Sequence, residues 1–499
     1  MNFARILWDT ADSVPERAAI RDGGVELTYA ALTARAAAIA EALVAAGLER
    51  GARVAVLLPH GGDAAAAFYG AAAAGAVVTV LNWLFRPRQV EQTLEHAGAR
   101  ILITSREWIA QQTRELQVDA RILLVEEIAA QGGFSPVDAA DSDPVQINFT
   151  SGSTGGPKGV VMSHANLAVG VTTVVDYLGI TEHDRLASLL PFSFVYGFNQ
   201  LNCAVATGAR LDIITSPLAP QIVRELIANE STVLAGVPPL WMQLLRVTDF
   251  QAPLPSLRLV TCAGGRLSPE AVRALRTAQP QAALFLMYGL TEVFRSTFLP
   301  PDEVDEHPDS MGRAVPGAAV YVVREDGTLC DDGEVGELVH AGPTVALGYW
   351  NDEDATARVF RANPDATETD PALARAAYSG DLVRRDERGL LYYVGRRDRM
   401  IKTLGFRVSP DEIADVLYAS QQVSEAVATA EPDPQRGMRI VAHVVLSPTG
   451  SLDALRRYCG AELPRHMLPA RWDVRDKLPR NASGKFDLLA LDAPEPPAS

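Results

Sequence analysis

The sequence is short of cysteine and of positive charge, and it carries only one long uncharged run. Four cysteines occur in 499 residues: Cys203, Cys262, Cys330 and Cys459. They form no CxxC pair and no metal-ligand spacing, which argues against a disulfide scaffold or a zinc site. Buried thiols in a reducing, cytoplasmic setting are expected instead. Basic residues number 45 against 61 acidic ones, a net charge of −16. Nucleic-acid binding draws most of its affinity from basic patches, so no nucleic-acid partner is expected. Residues 399–499 hold 13 basic and 13 acidic side chains, so the acidic excess lies in residues 1–398. Arg5, Asp9, Asp12, Glu16 and Arg17 interrupt the first 20 residues, and no signal peptide is expected.

The uncharged run is Ala64 to Phe85. It is long enough to span a bilayer, yet ten of its first twelve residues are alanine or glycine. Gly75 divides it, which predicts a buried small-residue helix followed by a strand rather than a membrane span. Nearly half of the chain is apolar (48%), enough for a sizeable core, and the length suits roughly three folding units.

Strand-like runs alternate with helical ones. Strands are predicted at 54–58, 101–104, 122–125, 146–149, 211–215, 232–236, 257–261 and 284–287. Helices are predicted at 29–46, 88–97, 221–228 and 269–277. Such alternation implies an α/β fold with parallel sheets covered by helices. Between Gly317 and Val394 short strands with glycine turns predict a β-rich subdomain. After Asp398 the pattern becomes a compact α+β unit, with helices at 410–419 and 452–459 and strands at 425–430 and 439–446. The expected domains are 1–397 and 398–499.

Chemistry concentrates first in Thr150-Ser-Gly-Ser-Thr-Gly-Gly-Pro-Lys-Gly159, directly after an apolar strand. Glycines let a backbone wrap closely around phosphate. The hydroxyls of Thr150, Ser151, Ser153 and Thr154 add donors, and Lys158 adds a cation. A P-loop would need Gly-Lys-Ser/Thr, whereas here Pro157 precedes the lysine and Gly159 follows it. A P-loop kinase or ATPase, releasing ADP, is therefore disfavoured.

This loop, with four further motifs in order from about Leu27 to Lys485, resembles the adenylate-forming superfamily of acyl-CoA synthetases, luciferases and peptide-synthetase adenylation domains. The resemblance implies a large N-terminal domain of α/β subdomains and a small mobile C-terminal domain. It also implies that ATP, with Mg²⁺, converts a carboxylic acid to an acyl-adenylate, which a thiol then attacks. In Met287-Tyr-Gly-Leu-Thr-Glu292 an aromatic ring can stack on adenine, Thr291 can donate to the α-phosphate and Glu292 can hold Mg²⁺. Gly152, Gly155, Gly264, Gly265, Tyr288 and Gly289 complete the implied nucleotide loops. Asp381, in Tyr378-Ser-Gly-Asp381, matches the ribose-binding carboxylate, with Arg396 as its companion and Asp398 as the hinge. Lys485, in a glycine-flanked loop, matches the catalytic lysine that bridges the substrate carboxylate and the α-phosphate. Leu488 stands where many relatives end this motif with a second basic residue. Lys402, Gly405 and Arg407 match the loop that lines the thiol tunnel, with coenzyme A or a carrier-protein phosphopantetheine as acceptor.

The acyl pocket implied by the resemblance comprises Phe194, Val195, Tyr196, Asn199, Gly236, Ala263, Met287, Arg295 and Ser296. Amino-acid-activating relatives carry an aspartate where Val195 stands. An apolar side chain cannot offset burial of an ammonium, so the acid is expected to lack an α-amino group. The run Gly289–Phe298 is particularly similar to acyl-CoA ligases of bacterial exosortase or natural-product clusters. Arg295 either clamps a distal carboxylate or hydroxyl or is tied to a nearby acidic residue. A homodimer is compatible with this reading but not required by it. A non-catalytic scaffold derived from the fold is the rival class, and retention of Lys485, Glu292 and Asp381 speaks against it.

Overall fold

In the computed structural model of the protein, Thr28 ends one strand and opens a helix, its hydroxyl accepting from the Ala31 N–H at 3.2 Å. That is the cap expected at the start of Tyr29–Ala45. The structure describes residues 1–112, 115–150, 158–399, 401–403, 406–433, 437–463, 467–481 and 484–491. The uncharged run forms the helix Gly62–Ala73 and the strand Val77–Val80, with Gly75 at φ +84° between them. Its small residues serve close packing: a methyl group at Gly70 would lie 2.4 Å from the Ala36 carbonyl oxygen of the neighbouring helix. Among the described residues, no helix is long and apolar enough to cross a membrane.

By its contacts the chain divides into two units, Met1–Val320 with Val339–Tyr378, and Tyr321–Leu338 with Ser379–Ser499. The first unit contains two large sheets. In the nine-stranded one, Ala283–Tyr288, Leu259–Cys262, Val233–Gly236, Arg185–Ser188, Arg210–Ile213 and Ala18–Asp22 run parallel and in that order. Antiparallel strands close both edges. In the seven-stranded sheet the parallel core is Pro144–Thr150, Val77–Val80, Arg53–Leu57, Ile101–Thr104 and Arg121–Leu124. The strand Lys158–Ser163 returns antiparallel beside Pro144–Thr150.

Helices from the two halves meet in one core. Phe68, on Gly62–Ala73, packs edge-on against Phe198, on Val195–Thr207, with ring centroids 4.5 Å apart. Tyr69 donates to Asn202 Oδ1 across 2.6 Å in the same layer, which satisfies a hydroxyl that would be costly to bury alone. Parallel order places the C-terminal ends of 233–236, 259–262 and 283–288 on one edge, where ligands collect in open α/β sheets.

A further sheet holds Ala319–Val323, Val335–Ala341, Arg375–Arg385 and Phe360–Ala362, with Leu391–Arg396 paired to Arg375–Arg385. In the second unit, Val423–Asp433 and Gly437–Leu446 form a long antiparallel pair, with Arg471–Val474 parallel to the latter. Helices Pro410–Ala419 and Leu452–Glu462 bury Ile413, Leu417, Leu455 and Cys459 together with Ile440, Ala442 and Val444 of that sheet.

Candidate active site

Thr150 ends its strand opposite Lys158 and donates to the Lys158 carbonyl at 3.4 Å. Ser151, Gly152, Ser153, Thr154 and Gly155 lie outside the described residues. Lys158 Nζ sits 5.3 Å from the ring centroid of Tyr349, a cation–π distance. The Tyr349 hydroxyl donates to Glu292 Oε1 at 2.6 Å. Glu292 belongs to the short turn Thr291–Val293, just beyond the strand Ala283–Tyr288, and its carbonyl accepts from Ala346 N at 2.8 Å. The glycine loop's cation and the carboxylate are thus joined through one tyrosine that the sequence reading did not single out.

Among the described residues, no cluster of three or more His, Cys, Asp or Glu could hold a metal. Magnesium in its usual nucleotide role takes one or two carboxylates and otherwise phosphate oxygens and water. Glu292, half-buried and oriented by Tyr349, is the carboxylate that suits it. Gly264, at φ +80°, and Gly265 follow the neighbouring strand end, and Ala263 N donates to the Gly236 carbonyl at 3.3 Å. Tyr288 is half-buried at the end of its strand, and its carbonyl accepts from Ser296 N at 3.1 Å. At Gly289 a side chain would meet the Arg295 backbone at 3.2 Å, so the glycine permits a tight turn.

Beside these strand ends lies an apolar cavity lined by Val174, Leu178, Ile180, Leu186, Tyr196, Asn199, Gln200, Cys203, Val233, Ala235, Thr261, Met287 and Arg295. Of the expected acyl-pocket residues, Tyr196, Asn199, Met287 and Arg295 meet there. Phe194, Val195, Gly236, Ala263 and Ser296 are not in its wall. Phe194 and Val195 start the helix Val195–Thr207, half-buried, and the Ser296 hydroxyl instead faces His340 Nδ1 at 3.0 Å. Tyr196 is fixed by Thr261, with oxygens 2.6 Å apart, and its ring lies 4.9 Å from the Arg295 guanidinium carbon. Burial pushes the Cys203 thiol up to about 12, which makes it an inert wall residue. Gln200 and Thr261 escaped the sequence reading because no local pattern distinguishes them from core positions, and Cys203 was expected only as a buried thiol.

Arg295 is only 4% exposed, and its Nε is buried without a hydrogen-bond partner. Among the described residues no carboxylate pairs with it. Of the two sequence expectations, the tie to a nearby acidic residue is therefore absent among those residues.

In the second unit, Asp381 and Arg396 are cross-strand partners, and Arg396 Nη1 donates to Asp381 Oδ1 at 2.9 Å. Gly380, at φ +71°, makes the turn that brings the carboxylate there. The buried Glu337 accepts from Gly380 N at 2.8 Å and from Arg397 at 2.7 Å, a brace between segments that no local pattern announces. Lys485 stands on a small hairpin closed by Asn481 and the Arg480–Phe486 bridge. The residue as a whole is accessible, whereas its charge centre is crowded by protein. Desolvation and the Arg399 guanidinium hold the ammonium below its ordinary pKa, Asp381 opposes them, and Arg396 lowers it further. Lys485 is thus in electrostatic reach of Asp381 and Arg396. Lys402 and Arg407 face each other across an antiparallel strand pair, but their side chains, and that of Asp398, are not described, and Gly405 lies outside the described residues.

The AMP-binding enzyme family matches residues 7–350, and its C-terminal domain matches residues 412–485. A sulfoacetate–CoA ligase of Cupriavidus necator is 31% identical over 94% of this chain and 93% of its own length. An L-proline–[L-prolyl-carrier protein] ligase of Pseudomonas fluorescens is 28% identical over 96% of each. Other relatives are much longer peptide synthases, of which the chain spans 20% in one case. Among solved structures, ATP-bound MatB from Rhodopseudomonas palustris superposes with a TM-score of 0.88, at 28% identity and 98% coverage of both chains. The chain belongs to the AMP-binding enzymes, and it is an ATP-dependent, AMP-forming acid–thiol ligase that uses Mg²⁺.

Proposed function

We propose that the protein activates a carboxylic acid without an α-amino group and passes the acyl group to coenzyme A in the cytoplasm. The observation that carries the first part is the wall of the apolar cavity, which holds a guanidinium and no carboxylate. A buried substrate ammonium would find repulsion there instead of a partner. Val195 at the head of the adjoining helix agrees with this. The coenzyme A ligase among the relatives supports the acceptor. A carrier protein's phosphopantetheine presents the same thiol arm, and the carrier-protein ligase among the relatives favours it as the second reading.

In the proposed first half-reaction, Thr150, Ser151, Gly152, Ser153, Thr154, Gly155 and Lys158 cradle the leaving phosphates. Tyr288, Gly264, Gly265 and Gly289 hold the base, Thr291 donates to the α-phosphate, and Asp381 with Arg396 takes the ribose hydroxyls. Magnesium, held by Glu292, supplies charge neutralisation of the phosphate oxygens. A carboxylate oxygen attacks the α-phosphorus, the bond to pyrophosphate breaks, and Lys485 offsets the charge on the five-coordinate phosphorus. Rotation about Asp398 would then bring Lys402, Gly405 and Arg407 into position, and a thiolate would displace AMP.

The experiment is a pyrophosphate-exchange screen over amino and non-amino acids, followed by parallel assays of free coenzyme A consumption and of mass gain on a holo carrier protein. Exchange with amino acids alone would overturn the substrate class. Acyl transfer to the carrier and none to coenzyme A would replace the favoured acceptor.

A further inference from the structure

We propose that Arg295 receives a second anionic group of the substrate, so that the acid is one bearing a distal carboxylate or sulfonate. This rests on the function proposed above. Arginine remains charged in proteins, and a guanidinium withdrawn from water needs a counter-charge or a full set of acceptors. Arg295 has neither among the described residues: Nε is buried without a partner and no carboxylate pairs with it. Water brings no counter-charge: the cavity, about 20 Å³, has room for one or two molecules that would hydrate the group and leave its charge unpaired.

The backbone aims this side chain by a strained route. Phe294 adopts φ +62° and ψ −57°, and Arg295 N donates to the Val293 carbonyl across 2.6 Å. Those values define a γ-turn with positive φ, a rare and strained conformation, here on a bulky residue. It is locked by packing: a methyl group at Gly170 would lie 2.5 Å from the Phe294 ring, so the helix leaves room for that ring only because it carries glycine there. Strain of this kind concentrates at ligand-binding sites.

Beneath the guanidinium the Tyr196 ring offers a π-face but no negative charge, and Thr261 fixes it in place. Gln200, another wall residue, has its amide oxygen buried without a partner. Met287 lines the same cavity and directly precedes Tyr288, so an acid whose reacting carboxyl meets the nucleotide at the strand end would extend towards Arg295.

The test compares, by pyrophosphate exchange, dicarboxylic acids of increasing length, sulfonate-bearing acids of matching length, and the half-amides of the same dicarboxylic acids. The wild-type enzyme is expected to prefer an anionic acid over its half-amide by roughly a hundredfold in kcat/KM, carried by KM. Arg295→Leu should collapse that ratio towards one, and Arg295→Lys should restore part of it. Preference for the carboxylate or the sulfonate series identifies which anion is the native one. Half-amides or plain monocarboxylates used as well as the anionic acids by the wild type would overturn the proposal, as would an unchanged ratio in Arg295→Leu. Should that variant fail to fold, the wild-type ratio still decides. Absence of exchange with every acid strikes the function proposed above, whereas robust exchange without anionic preference strikes only this inference.

Discussion

Tyr349 joins two parts of the proposed nucleotide site at once: its hydroxyl donates to Glu292 Oε1 at 2.6 Å while its ring faces Lys158 Nζ at 5.3 Å. Tyr349→Phe keeps the ring and removes the hydroxyl, and with it the bond to Glu292. A bond to a charged group is worth about 1.5–3 kcal/mol, so a tenfold or greater loss of exchange activity is expected. Raised magnesium should recover part of it if the bond orients the metal's carboxylate. A titration of exchange rate against Mg²⁺, with Glu292→Gln as the severe limit, checks this.

Lys485→Ala should slow adenylation by about a hundredfold to a thousandfold, the usual cost of removing one positioned charge. Thiolysis of a pre-formed acyl-adenylate should be spared, because the proposed thiol step uses the other loop. The ammonium titrates below its ordinary range. The alkaline limb of the adenylation pH profile should therefore fall at a lower pH than a free lysine would give, and Lys485→Ala should abolish that limb.

Acid should destabilise the first unit through three histidines that burial keeps neutral: His60, held down to about 4, His340 and His164. Burial holds His340 down to about 3 and His164 down to about 4. His164 Nδ1 accepts from Phe3 N at 2.9 Å, so protonation there would break a bond. Both pKa values are depressed on folding, so their contribution is fully present above the unfolded value near 6.5. It is lost as pH falls from there towards 4 and 3, at about 1.4 kcal/mol per pH unit for each histidine. Chemical denaturation at a series of pH values from 7 to 4 measures the slope; His164→Asn should reduce it by one proton.

Gly170→Ala should destabilise the protein although alanine is the better helix former. The added methyl would press on Phe294, and overpacking of this kind costs about 1–3 kcal/mol. Because Phe294 sets the turn before Arg295, KM for the acid should rise as well. Thermal unfolding and acid KM in the same variant separate the two effects.

Much of the fold is local and was legible. The strand Ile101–Thr104 and the helix Pro410–Ala419 have the bounds their composition predicts, and Gly75 divides the uncharged run. Sheet order was not legible: Ala18–Asp22 pairs with Arg210–Ile213, nearly two hundred residues on, and nothing in either segment names the other. The candidate site divides the same way. Motif residues such as Glu292, Asp381 and Lys485 announce themselves by type and spacing. Their supports, Tyr349 and Glu337, act from distant segments and look like ordinary core residues. Arg295 was visible, but its lack of a counter-ion is a property of three-dimensional surroundings alone.

In the proposed reaction, Glu337 shapes what can happen after adenylation. One of its oxygens grips the turn before Asp381 and the other grips Arg397, the last residue ahead of Asp398. A swivel placed at Asp398 begins just past this rivet, so the carboxylate–guanidinium clasp of Asp381 and Arg396 would stay at rest while the following segment swings. The nucleoside end of the intermediate could then be gripped without interruption as one loop leaves and another arrives.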